Sequence, residues 1–120
     1  MKVNEEAKKI IERNPLLIGS STLNGKPNIT IVDYAKVLNN REVIFRNVEM
    51  TTCAENLISN PEVCIVAFDH KKKIGYKMFG RVRFEREGSA FEEAAKDVAS
   101  RGRQLKGLFV AESSKIFRFK

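Results

Sequence analysis

Two segments of the 120-residue sequence carry residues whose types and spacing could bind an anionic ligand. The first, NVEMTTCAEN at residues 47–56, runs from the end of a predicted strand into a predicted helix, where unpaired N–H groups attract anions. The second is a row of cations, Lys77, Arg81 and Arg83, on one face of a predicted strand. An arginine guanidinium can donate hydrogen bonds to two phosphate oxygens at once. Each segment is also typical of a structural alternative, a capped helix or a solvated strand face.

The sequence does not provide a constellation for catalysis by side chains alone. The one histidine, His70, lies in a lysine-rich turn, and the two cysteines, Cys53 and Cys64, form no Cys-x-x-Cys motif. A Ser-His-Asp arrangement and a zinc site are therefore not expected. We assign no catalytic residue and no metal ligand, and expect a bound cofactor to carry any chemistry.

The two cysteines are expected to be reduced thiols. Cys53 falls in the first turn of the predicted helix, where the helix dipole lowers the pKa of a thiol. Cys64 falls in a predicted strand and is expected to be buried. We therefore expect Cys53 to react faster than Cys64.

Composition indicates one globular domain, residues 1–120, with anionic partners. Hydrophobic residues make up 42% and charged residues 31%, and the net charge is +7. This excess favours nucleic acid, a phosphate-bearing cofactor or an acidic protein as the partner. The sequence has no apolar run long enough for a membrane helix, and its first residues are too charged for a secretory signal. We expect a cytoplasmic protein.

Short strands separated by tight turns predict a mainly β (α+β) fold. Asn24-Gly25 is the strongest short hairpin signal, and Asn39-Asn40 supplies a second turn, so the first three strands should form a meander. The connections are mostly too short for parallel crossovers, which favours an antiparallel barrel with short flanking helices. Strands are predicted at 16–23, 27–38, 42–48, 62–69, 74–86, 107–113 and 115–119, and helices at 4–14, 52–60 and 90–101.

Local signals refine three of these elements. Thr52 with Glu55 and Ser89 with Glu92 match the capping box that begins a helix. Gly80, inside the long strand, predicts a bend, a bulge or a close backbone neighbour.

Taken in order, these segments resemble the pyridoxamine 5′-phosphate oxidase-like FMN-binding split barrels over residues 15–118. The resemblance implies a six-stranded antiparallel split β-barrel with flanking short helices. It also implies a homodimer with FMN at the subunit interface. The stretches that carry it are LIGSSTLNGKPNITIVDYAKVL, NVEMTTCAENLISNPEVCIVAF and GYKMFGRVRFEREGSAFEEAA.

The resemblance also implies a cofactor site. The flavin would lie near Thr30, its phosphate against the loop 47–53, and the partner subunit would contribute from 77–81. Many relatives carry a Lys-Thr pair where this sequence has Thr52-Cys53, so the phosphate-binding charge is expected from Arg46, Lys36 or Arg81. The residues assigned to the site are Ile29, Thr30, Ile31, Arg46, Asn47, Val48, Met50, Thr51, Thr52, Cys53, Lys77 and Arg81.

The function that the resemblance implies is that of an FMN-dependent redox protein, either a flavin or quinone reductase or a small electron carrier. Pyridoxamine phosphate oxidation itself is not expected, because the true oxidases are longer and use a tryptophan-containing segment that this sequence lacks. The alternatives are a flavin-free, F420-binding or haem-binding split barrel, or a basic β-barrel that binds single-stranded nucleic acid. Against nucleic acid, Phe79 is the one aromatic residue on the basic face of the long strand.

Overall fold

The computed structural model describes residues 2–48 and 50–120, which form three helices and one sheet of seven antiparallel strands. Two of the helices contribute side chains to the main core, and the third packs on a second apolar cluster. In chain order the elements are α1 (Glu5–Arg13), β1 (Leu16–Ser21), β2 (Pro27–Val32), β3 (Ala35–Leu38), β4 (Glu42–Asn47), α2 (Thr52–Ser59), β5 (Glu62–Asp69), β6 (Ile74–Glu85), α3 (Ser89–Ser100) and β7 (Gly107–Phe119).

The two edges of the sheet are consecutive in the chain. The strand order is β2-β1-β5-β6-β7-β4-β3, and only Asp33 and Tyr34 separate β2 from β3. Three Cα–Cα steps of about 3.8 Å cannot bridge more than roughly 11 Å. The sheet therefore has to curl until its edges approach each other at this link, which produces a split barrel.

The split-barrel fold expected from the sequence is confirmed, but its strands are divided differently. The predicted strand 27–38 breaks at Asp33, whose exposed side chain interrupts the apolar alternation. The predicted meander is therefore wrong, because β1–β2 and β3–β4 are separate hairpins at opposite edges. The predicted strands 107–113 and 115–119 are one strand. A seven-stranded sheet results instead of six.

The barrel interior is filled by alternate residues of each strand. The even-numbered side chains of β6 point inward as predicted, with Tyr76 and Met78 buried and Val82 packed against the core. Phe45 and Phe109 stack at the centre with ring centroids 5.4 Å apart. A second apolar cluster lies outside the barrel, where α3 packs on β4 and β7 through Ala94, Val98, Ile44, Leu108 and Val110.

Helix α1 is fixed to three strands by its polar side chains. Its apolar stripe of Ala7, Ile10 and Ile11 is buried, and Asn4 caps the helix by accepting a hydrogen bond from the Ala7 amide at 2.8 Å. The Glu6 carboxylate accepts from Tyr76 on β6 and Arg118 on β7. Glu12 accepts the Val37 amide of β3 at 2.9 Å. These contacts hold α1 against the barrel.

The two predicted capping boxes do not form. Helix α2 begins at Thr52, and the cap position is held by Thr51, whose backbone (φ −116°, ψ −74°) lies near the helical region. A capping side chain needs an extended backbone to reach the first-turn amides. At α3 the cap position is held by Gly88 with φ 99°, and Ser89 is the first helical residue. Neither helix has a side-chain cap.

Gly80 lies where β6 and β7 change register, as its position in the long strand predicts. The pairing shifts between Phe79 and Gly80, and Ser114 of β7 fills the gap by donating its hydroxyl to the Phe79 carbonyl at 3.1 Å. A Cβ at Gly80 would overlap the backbone carbonyl of Glu112. The absence of a side chain is therefore required by close backbone approach.

We expect Gly80→Ala to lower the free energy of unfolding by about 1–3 kcal/mol. The new methyl group would overlap the backbone of Glu112, which cannot rotate away as a side chain can. Gly19→Ala is the matched control, since a Cβ at this strand position meets its nearest atom at 3.4 Å, an ordinary contact. Urea unfolding of both variants measures the difference. Equal midpoints for the two would show that the β6–β7 bulge tolerates a side chain.

Candidate functional site

A cleft of about 230 Å³ opens where the link between β2 and β3 crosses from one edge of the sheet to the other. Three parts of the chain meet there: the end of β2 with the link, the end of β4 with the loop after it, and the end of α3. The lining residues are Ile31, Val32, Asp33, Tyr34, Arg46, Val48, Met50, Val98, Arg101 and Arg103.

Arg46 is the most enclosed cation of the cleft. Its side chain is only 12% exposed, and its Nη1 donates to the Asp97 carboxylate of α3 at 2.7 Å. The Tyr34 ring stacks on the guanidinium, with 3.6 Å between Cζ and the ring centroid. The buried Nε has no hydrogen-bond partner among the described residues. Arg46 is thus fixed in position while one donor stays available.

Asp97 orients two of the arginines. The hydrogen bond from Arg46 holds the pKa of the Asp97 carboxyl below its usual value, although burial opposes the shift. Arg101 lies one helical turn further on, with its Nη2 3.6 Å from the same carboxylate. Since Arg103 also lines the cleft, the described residues bring three guanidinium groups and two carboxylates, those of Asp33 and Asp97, to this place. Counted over the described residues, cationic groups therefore outnumber the anionic ones.

The loop from β4 to α2 borders the cleft and leads to an uncapped helix. Val48 and Met50 line the cleft, and the exposed Thr51 and Thr52 follow. Among the described residues no side chain caps α2, so its first-turn amides lack a capping acceptor there. Glu49 lies outside the described residues.

Four of the twelve residues assigned from the sequence line this cleft: Ile31, Arg46, Val48 and Met50. Ile29 and Thr30 are neighbours of Ile31 on β2. Asn47 and Cys53 are buried, and the Asn47 Oδ1 has no hydrogen-bond partner within residues 2–48 and 50–120. Lys77 and Arg81 are exposed on β6, where Arg81 pairs with Glu62. Thr51 and Thr52 also lie outside the lining, and a role in cofactor binding stays a prediction for all twelve residues.

Six lining residues were not assigned to the site from the sequence: Val32, Asp33, Tyr34, Val98, Arg101 and Arg103. A signal for Tyr34 was present, because its neighbour Asp33 interrupts an apolar strand pattern. The Arg101-Gly102-Arg103 run directly after α3 was a second signal. Neither signal could be used without knowing that the β2–β3 link and the end of α3 meet in space.

The outer face of the sheet is apolar across five strands. One cross-strand row runs Ile31, Leu17, Val66, Lys77 and Phe117, and the next runs Ile29, Gly19, Cys64, Phe79 and Lys115. We call these two rows the outer face. Ile29 is 71% and Ile31 is 64% exposed. Lys77 lies over the Phe79 ring and Lys115 over the Phe117 ring. Phe79 is the one aromatic residue on the basic face of β6, as expected, and β7 adds Phe117 beside it.

The expected reactivity of Cys53 is not supported by its surroundings. Neither cysteine is in a disulfide, as expected. Cys53 is 2% exposed, and burial raises the pKa of its thiol despite a hydrogen bond with Ser20 that opposes the shift. Cys64 is only half-buried on the outer face; burial raises its thiol pKa too, and the nearby Lys77 charge opposes this.

Comparisons with known proteins agree with this fold. A family model described as pyridoxamine 5′-phosphate oxidase matches residues 3–119. No curated protein matches the sequence. None of the described helices is long and apolar enough to cross a membrane.

Several solved structures have the same fold at low sequence identity. The H111A variant of HupZ from Group A Streptococcus superposes with a TM-score of 0.87 at 20% identity, covering 98% of this chain and 99% of that one. An FMN-binding protein from Syntrophomonas wolfei gives 0.83 at 16% identity, covering 97% and 85%. HutZ, the haem storage protein of Vibrio cholerae, gives 0.71 at 18% identity, covering 98% and 94%.

We expect a thiol reagent to modify Cys64 before Cys53 in dilute native protein, because Cys64 is half-buried whereas Cys53 is only 2% exposed. Labelling Cys53→Ser and Cys64→Ser separately assigns the rates. In urea both variants should react alike, which controls for the intrinsic reactivity of each thiol. Faster native labelling of Cys53 would contradict the burial of this thiol on the core-facing side of α2.

Proposed function

This chain belongs to the pyridoxamine 5′-phosphate oxidase-like split-barrel family, and we propose that it binds FMN in the cleft at the β2–β3 link and acts as a redox protein. The observation that carries the proposal is the convergence of Arg46, Arg101 and Arg103 on one cleft beside an uncapped helix. The reaction class we propose is that of an FMN-dependent oxidoreductase, a flavin or quinone reductase, or that of a small electron carrier.

The donors of the cleft fit a phosphate. Guanidinium groups bind phosphate oxygens in pairs, and Arg46 has a buried Nε that no described residue uses. The first-turn amides of α2 add neutral donors and the positive end of a helix dipole. These groups supply the charge that the family's lysine would provide, which supports FMN binding in spite of Thr52-Cys53.

The other lining residues fit a flat aromatic ring. Ile31, Val48 and Met50 provide apolar surface, and Asp33 is a hydrogen-bond acceptor beside them. Bound FMN would supply a ring that takes up and releases electrons, which no side chain in the cleft can do. The residues would bind the phosphate, orient the ring and reduce its contact with water.

We further propose a homodimer in which a second copy covers the outer face. An apolar surface that crosses five strands is unusual for a monomer and typical of an interface. Ile31 belongs both to the outer face and to the cleft, so a second copy seated on this face would border the cofactor. Lys77 lies in the same row as Ile31, which supports its proposed contribution to the neighbouring subunit's site.

Haem is the second candidate, because HutZ is described as a haem storage protein. Arginines suit carboxylates as well as phosphates, and Met50 places a thioether in the cleft. Against haem, the only histidine of the sequence lies in the exposed turn after β5 and is not among the lining residues. Imidazole is the commonest proximal ligand of haem iron in oxygen-binding proteins. FMN is therefore favoured over haem.

We expect the purified protein to take up FMN and to show flavin absorption bands. Arg101→Gln should weaken FMN about tenfold, the value of one charge-assisted hydrogen bond, and leave phosphate-free riboflavin unchanged. Exposed Arg86, which does not line the cleft, provides the control Arg86→Gln. Titration of each variant with FMN and with riboflavin gives the ratio of the two dissociation constants.

Three other results would contradict the proposed binding of FMN or the proposed role of Arg101. An equal loss of FMN and riboflavin in Arg101→Gln would mean that Arg101 does not meet the phosphate. A protein that takes up neither flavin would remove the proposal. Uptake of haem with a Soret band in place of FMN would support the second candidate.

We expect Leu17→Glu to produce a monomer, because it places a charge in the middle of an apolar interface. Leu23→Glu is the matched control, since Leu23 is 79% exposed in the β1–β2 turn and lies outside the outer face. Light scattering measures the mass of each, and circular dichroism checks that both are folded. A folded Leu17→Glu dimer would contradict the proposed interface.

A further inference from the structure

Tyr34 and Arg46 form a wall between two neighbouring cavities. The first is the cleft of about 230 Å³, and the second, of about 70 Å³, lies beside it along β3 and the beginning of α3. Among the described residues, these two are the ones that line both spaces. The Tyr34 ring stacks on the Arg46 guanidinium, with 3.6 Å between the ring centroid and Cζ.

The two halves of the wall are held very differently. Arg46 is anchored to Asp97 and its side chain is 12% exposed. Tyr34 is 42% exposed and lies in the link between the strands, where its backbone belongs to no strand. Its hydroxyl has no hydrogen-bond partner among the described residues, so the stack on Arg46 is the contact that holds the ring. Removing this ring would open the wall without releasing Arg46.

The residues of the second cavity suit a ligand that extends into it from the cleft. Leu38, Ile44 and Leu108 form an apolar floor, and Lys36 and Glu93 stand at its edge. The space has room for a group the size of a phosphate, and Lys36 supplies a cation for it. A nucleoside attached to that group would extend beyond the cavity into solvent.

We propose that Tyr34 is a specificity residue that restricts the cleft to a mononucleotide flavin. FMN ends at its phosphate, whereas FAD continues through a second phosphate to adenosine. With the Tyr34 ring seated on Arg46, the path beyond the first phosphate is closed, so the dinucleotide meets a steric barrier that the mononucleotide does not. This inference rests on the proposed binding of FMN in the cleft.

The test is the ratio of FMN to FAD dissociation constants in three proteins: wild type, Tyr34→Ala and Tyr34→Phe. Wild type and Tyr34→Phe should both prefer FMN, because the phenyl ring is retained and the lost hydroxyl has no partner. Tyr34→Ala should shift the ratio towards FAD by about tenfold, the effect of one well-placed contact. Any contact that the ring makes with the flavin itself affects both ligands and cancels in the ratio.

A second variant tests the path that FAD would take. Adding Lys36→Gln to Tyr34→Ala should weaken FAD and leave FMN unchanged, because only FAD reaches the second cavity. Fluorescence quenching of either flavin provides the titration, and circular dichroism confirms that each variant is folded.

The failures of the two proposals are distinguishable. A wild-type protein that binds neither flavin would remove the FMN function and this inference with it. Tight FMN binding with an unchanged ratio in Tyr34→Ala would overturn the role of Tyr34 and leave the FMN function intact. Equal affinity of the wild type for FMN and FAD would also overturn it, whatever the variants do.

Discussion

The rest of the structure depends on the two-residue link between the edge strands. Asp33 and Tyr34 are all that separates β2 from β3, although five strands lie between these two in the sheet. A chain cannot stretch across a flat sheet of this width, so the sheet curls and its edges approach each other. The curl creates the enclosed core, and it leaves a cleft at the place where the link crosses.

The charge of the cleft follows from the packing of α3 outside the barrel. Val98 and Ala94 seat this helix on β4 and β7, and its last turn thereby brings Asp97 and Arg101 to the end of β4. Asp97 remains ionised beside Arg46 and fixes the direction of its guanidinium. Asp97 offsets one of the three arginine charges, and among the described residues the cations of the cleft still outnumber its carboxylates. The apolar packing of α3 thus positions the arginines that meet at the cleft.

The cleft and the outer face are parts of one surface. Ile31 belongs to both, since it lines the cleft and begins the cross-strand row that ends at Phe117. A partner that buries the apolar row would also narrow the opening of the cleft and reduce the access of water. The proposed dimer and the proposed flavin site therefore support each other physically, because exclusion of water strengthens every charge interaction inside the site.

Local sequence determined the elements whose signals are local. The apolar stripe of α1, the Asn24-Gly25 hairpin, the inward face of β6 and the need for Gly80 are all read from periodicity or from one residue, and the family resemblance added the split barrel. Only the tertiary structure decided that β2 and β3 lie at opposite edges, that burial outweighs the helix dipole at Cys53, and that Arg101 and Arg103 reach the cleft. Periodicity specifies which residues share a face, but what covers that face depends on strand pairings between residues far apart in the chain.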